Sequence, residues 1–140
     1  MSGAVIIPVK SFASGKQRLS GALDPGARGR LGRALAGHVA ETVAATGCTP
    51  HVVTGDVEVA SWAQESGYQV VDDPGEGLSA AARAAASWSV RLSQPWLILH
   101  SDLPWVTVED IEALMSVLED GRSVIAPSAD GGTSAIGSSG

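Results

Sequence analysis

The sequence predicts an α/β fold, a mostly parallel sheet with helices on both faces. Three observations carry that reading. Short apolar runs alternate with helical stretches of about 10–20 residues, the pattern of strand–crossover–strand units. Two of the runs, Ala4 to Val9 and Trp96 to Leu99, are continuously apolar, as strands buried on both faces are. Hydrophobic residues make up 44% of the 140 and charged residues 17%, enough apolar material for one folded domain.

Each element has a local cause. Ala4 to Val9 is the first strand, and residues 10–23, rich in serine, glycine and basic groups, form a loop. Asp24 caps a helix that begins at Pro25, where a missing N–H costs nothing. Leu31, Leu35, Val39 and Val43 recur every four residues and carry this helix to about Thr46, where Gly47 stops it. His51 to Thr54 is a second strand. Asp56 caps a helix carrying Val59, Ala60, Trp62 and Ala63, with Gly67 as its stop. Tyr68 to Val71 is a third strand, and Leu78 to Arg91 is an alanine-rich helix. Trp96 to Leu99 is the fourth strand. Thr107 to Asp110 reads as a capping box opening a helix through Ile111, Leu114, Met115 and Leu118, which Gly121 ends. Ser123 to Ala126 is a fifth strand. The chain then turns to glycine and serine, and residues 135–140 are expected to be flexible.

Composition excludes several function classes. No apolar run approaches the roughly 18 residues of a membrane helix, and Val5 to Val9 is too short for a signal peptide core. A lone cysteine, Cys48, gives no disulfide framework or cysteine-based zinc site and fits a reducing cytoplasm. His38, His51 and His100 have no metal-ligand spacing. The net charge of −6 argues against nucleic acid as a partner. That charge is uneven. Residues 1–33 carry six basic groups against Asp24, a local +5, and the remainder carries −11. The basic segment is either a solvated helix face or an anion site.

In parallel α/β sheets ligands bind beyond the carboxyl ends of the strands, which selects the loops at 10–18, 55–56, 72–79, 100–105 and 127–134. Loop 10–18 holds Lys10, Lys16 and Arg18 with Gly15 and two serines, a composition that suits phosphate, although it is not a Walker A loop. Loop 72–79 places Gly75 and Gly77 before a helix start with Ser79 in its first turn, which serves either an anion or an ordinary turn. Asp102 follows the most apolar strand. It can bind magnesium, which takes one or two carboxylates plus phosphate oxygens, or bond backbone N–H groups in a turn. Gly131, Gly132, Thr133 and Ser134 suit either close ligand contact or a tight turn.

Taken in order, Ile7 to Lys10, Lys16-Gln-Arg18-Leu19, Pro74-Gly-Glu-Gly77-Leu78, Ser101 to Pro104, Ile125 to Pro127 and Asp130 to Thr133 resemble the 2-phospho-L-lactate guanylyltransferase family of deazaflavin coenzyme (factor 420) biosynthesis. The resemblance implies a glycosyltransferase-A-like, Rossmann-like nucleotidyltransferase domain over residues 1–140. Its substrates would be GTP and a small phosphorylated acid, 2-phospho-L-lactate or phosphoenolpyruvate, and its cofactor Mg2+. It assigns Lys10, Lys16 and Arg18 to the triphosphate and Gly77 with Ser79 to the guanosine. Asp102 goes to the metal, and Thr133 with Ser134 to the acceptor. Lys16 and Asp102 would be catalytic. Serines stand at 79 and 134 where the family has asparagine. Family members also continue past the Gly-Gly-Thr segment, so the chain is expected to be the N-terminal portion of such a domain. An incomplete sheet with apolar helices is expected to associate, for example as a homodimer. Two other readings share the sequence: a non-catalytic nucleotide-binding paralogue, and a nucleotidyltransferase with a different nucleotide and acceptor.

Overall fold

A computed structural model describes residues 3–12, 24–72, 87, 94–127 and 133–138. Among them lie strands β1 (Ala4–Pro8), β2 (Thr49–Thr54), β3 (Gln69–Asp72), β4 (Trp96–Leu99), β5 (Val124–Pro127) and β6 (Thr133–Ser138). Three helices accompany them: α1 (Pro25–Ala45), α2 (Val57–Glu65) and α3 (Val108–Glu119). The strands form one sheet in the order β3-β2-β1-β4-β6-β5. The pairs β1–β2, β1–β4 and β2–β3 are parallel, while β6 runs antiparallel to both β4 and β5. The sheet is thus mixed and mostly parallel. No helix among the described residues is long and apolar enough to cross a membrane.

The helix ends follow the capping chemistry of the sequence. Asp24 Oδ1 accepts from the Ala27 N–H at 2.7 Å, and Asp56 Oδ1 from the Val59 N–H at 3.0 Å. Thr107 and Asp110 complete the capping box of α3 in both directions. Gly47, Gly67 and Gly121 end the three helices at positive φ, which an L side chain adopts only with strain.

The sheet buries both faces. Val5, Ile7, Val52, Leu97 and Leu99 pack beneath all three helices, against Val39, Val43, Val59, Trp62, Ile111, Met115 and Leu118. Ala4, Ile6, Val53 and Ile98 form a second buried cluster on the opposite face. This explains the unbroken apolar runs of β1 and β4, since alternate residues serve different cores. Of the helix expected over 78–91, only Ser87 is among the described residues.

One expectation is corrected. Residues 135–138 are not a flexible tail; they lie in β6, with Ala135 opposite Leu99 and Gly137 opposite Leu97. Gly137 reads as a loop residue, yet it sits in a strand because a Cβ there would meet the Trp96 carbonyl oxygen at 2.7 Å and Leu118 at 3.0 Å. The buried face of α1 includes two of the four residues whose spacing predicts the helix. Ala36, Val39, Ala40 and Val43 form it, while Leu31 is 36% exposed and Leu35 is half-buried.

Candidate active site at the carboxyl edge of the sheet

The parallel strands β1 to β4 all end on one edge. In the β1–β4 ladder Ile6 is opposite Ile98. Lys10 lies two residues past the end of β1 and Asp102 three residues past the end of β4, and both are singled out from sequence. The pair therefore follows adjacent parallel strands at the same edge. Lys10 is exposed, and the Asp102 side chain is 34% exposed, so both can meet a solute.

Thr133 and Ser134 reach the same edge from the other direction. β6 enters the sheet there, with Thr133 opposite Pro127 at the end of β5 and Ala135 opposite Leu99 at the end of β4. The ladder shifts between Ala126 and Pro127, a bulge of the kind that re-aims backbone beside functional sites. The backbone thus brings Lys10, Asp102, Thr133 and Ser134 to one edge. Lys16, Arg18, Gly77 and Ser79 lie outside the described residues.

The segment carrying Asp102 is well tied. His100 Nδ1 lies 3.9 Å from Asp102 Oδ1, beyond hydrogen-bond length, with both side chains partly exposed. The Val106 N–H donates to the Leu103 carbonyl at 3.2 Å and closes a turn. His38 on α1 contacts the Val106 carbonyl through Nε2 at 2.9 Å. The α3 capping box follows at once. Behind this segment lies an apolar cleft of about 240 Å³ lined by Leu99, Leu103, Trp105 and Leu114, and Trp105 is 88% exposed.

The segment carrying Lys10 is anchored from its far end. Phe12 is buried, and its ring meets the Trp62 ring edge-on at 5.4 Å. Trp62 in turn meets Tyr68 at 5.7 Å. Such aromatic contacts contribute about 0.5–1.5 kcal/mol beyond the area they bury. Sequence reasoning passed over Phe12, His38 and the glycines of α1. The signal for the last was present, since Gly26, Gly29 and Gly32 in one helix cost propensity without an evident return.

Among the described residues no group of three or more His, Cys, Asp and Glu side chains could hold a metal. One partly exposed carboxylate, Asp102, would suffice for magnesium only where phosphate oxygens and water complete the shell. Burial raises the Tyr68 hydroxyl and lowers His51, backbone hydrogen bonding at Thr49 and Val5 partly offsetting the latter. Both groups lie away from this edge, in the aromatic cluster and on β2.

The family described as Guanylyl transferase CofC like matches residues 3–137. A phosphoenolpyruvate guanylyltransferase of Chloroflexus aggregans is 37% identical over 130 residues, covering 88% of this chain and 64% of the relative. One from Sphaerobacter thermophilus is 32% identical over 139 residues, covering 96% and 67%. A 2-phospho-L-lactate guanylyltransferase of Methanothermobacter thermautotrophicus is 29% identical, covering 97% and 61%. The chain thus spans about two thirds of the length of these relatives. Among solved structures, a Desulfovibrio desulfuricans protein named as a nucleotide-diphospho-sugar transferase superposes with a TM-score of 0.82 at 19% identity. It covers 98% of this chain and 63% of that one. That likeness shows the fold, the glycosyltransferase-A-like arrangement expected from sequence.

Proposed function

The chain belongs to the guanylyl transferase family described as CofC like, and from that membership we propose that it carries the nucleotide-binding part of a guanylyltransferase. The reaction moves GMP from GTP to the phosphate of a small phosphorylated acid, phosphoenolpyruvate or 2-phospho-L-lactate, with release of pyrophosphate, in deazaflavin coenzyme (factor 420) biosynthesis. What supports the reading is the position of Lys10 and Asp102 just past the ends of adjacent parallel strands, in a chain similar to the family over residues 3–137.

The chemistry asks little of the protein beyond placement. A phosphate oxygen of the acceptor attacks the α-phosphorus of GTP. A new P–O bond forms, the bond from the α-phosphorus to its bridging oxygen breaks, and pyrophosphate leaves with the electron pair. A phosphate monoester has its second pKa near 6, so it attacks as a dianion without a general base. Transfer then depends on alignment and on neutralising charge. Lys10, Lys16 and Arg18 supply positive charge to the triphosphate, and Asp102 would hold magnesium. The ion would neutralise phosphate charge when bound. Gly77 and Ser79 are assigned to the guanosine, and Thr133 with Ser134 to the acceptor.

Two substitutions test the assignment. Lys16→Ala should weaken GTP binding roughly tenfold, the value of one charge-assisted contact, while leaving the unfolding midpoint unchanged. Asp102→Asn should abolish magnesium-dependent turnover. Unchanged affinity in the first would return Lys16 to a solvated loop, and retained turnover in the second would make Asp102 a turn residue.

A further inference from the structure

Helix α1 touches the loops on both sides of the proposed site. In its N-terminal half, Gly32 packs against the backbone of Phe12. A Cβ on Gly32 would lie 1.7 Å from the Phe12 carbonyl oxygen and 2.7 Å from its carbonyl carbon. Backbone cannot swing aside as a flexible side chain can, so Gly32 admits the chain and any larger residue displaces it. Phe12 is also pinned by its ring against Trp62. Lys10 stands two residues before this clamp.

Further along, His38 Nε2 meets the Val106 carbonyl at 2.9 Å across 68 residues of sequence. A carbonyl only accepts, so Nε2 carries the proton and donates. The Leu103–Val106 turn then holds the residues that follow Asp102. The His38 carbonyl accepts from the Thr42 hydroxyl one turn along the helix. Gly32 and His38 are six residues apart, about 9 Å along the helix axis.

We infer that α1 sets the separation of Lys10 from Asp102, with Gly32 and His38 as positioning residues for the nucleotide side and the metal side of the site. The inference rests on the guanylyltransferase reading above and adds residues to it. Gly29 supplies an internal control, because a Cβ there meets nothing within 4 Å.

The test is steady-state transfer by the full chain with GTP, magnesium and phosphoenolpyruvate. Gly32→Ala should raise the KM for GTP about tenfold and leave the KM for the acceptor within about twofold, as displacement of one loop predicts. Gly29→Ala should change neither. His38→Leu should raise the magnesium concentration for half-maximal rate about fivefold, and His38→Gln, which keeps a donor at a similar reach, should restore it. His38 is exposed, so this pair of variants decides the matter even where Gly32→Ala does not fold. Equal behaviour of Gly32→Ala and Gly29→Ala, of His38→Leu and His38→Gln, or a fall in rate with every half-saturation value unmoved would overturn the inference. Those results require an active wild type. A wild type that transfers no guanylyl group overturns the underlying reading instead, and the inference with it.

Discussion

Lys10 and Asp102 acquire meaning from where two strands stop. Each follows an apolar run buried on both faces, and the parallel register carries the two to one edge. That much was legible, because strand ends in parallel sheets are where ligands bind. His38 was not legible. A single histidine on a helix gives no sign of a carbonyl partner 68 residues away. His51 shows how a residue remote from this edge still responds to pH. Burial disfavours its charged form, so its folded pKa lies below the ordinary 6.5. The unfolded chain takes up the proton first as pH falls. The stability that His51 contributes is therefore full above about pH 6.5 and is lost as pH drops through the lowered value. Urea unfolding at pH 7 and pH 5 should show a steeper loss in the wild type than in His51→Gln. Parallel losses would mean that His51 is hydrated alike in both states.

At the scale of elements, capping residues and apolar runs announced α1, α2, α3 and the first five strands to within two residues at most starts. β6 escaped because its residues, Thr133-Ser-Ala-Ile-Gly-Ser138, have a loop's composition. Tertiary context made it a strand: β4 and β5 present their edges to it, and Gly137 fits where Leu118 and the Trp96 carbonyl leave no room for a side chain. In α1 the four-residue spacing of Leu31, Leu35, Val39 and Val43 marked the helix, though only the two valines of that set are fully buried. Close approach of the Phe12 backbone selects glycine at position 32, and small residues make a weak periodic signal. α3 offers the cleanest test at this scale. Its box uses the Thr107 hydroxyl and the Asp110 carboxylate to satisfy two N–H groups that the helix cannot. Thr107→Ala should lower the unfolding free energy by about 1 kcal/mol in urea titration. A change below about 0.2 kcal/mol would show that solvent serves those groups equally well.

The whole molecule pairs an acidic body with a basic N-terminal segment, a local +5 within a net −6. Lys10 of that segment lies just past β1, at the edge where Asp102, Thr133 and Ser134 also lie. Length takes on a second meaning as well. The described strands form one sheet, and the chain spans about two thirds of the relatives it matches. The proposed acceptor contacts at Thr133 and Ser134 fall near its C-terminal end. The central claim is transfer of a guanylyl group, and phosphorus NMR follows it atom by atom. With the protein, magnesium, GTP and phosphoenolpyruvate or 2-phospho-L-lactate, the α-phosphorus of GTP should move into a diphosphate linkage shared with the acceptor, with an equal amount of pyrophosphate. Unchanged GTP with both acceptors, or hydrolysis without a new P–O–P linkage, would contradict the account.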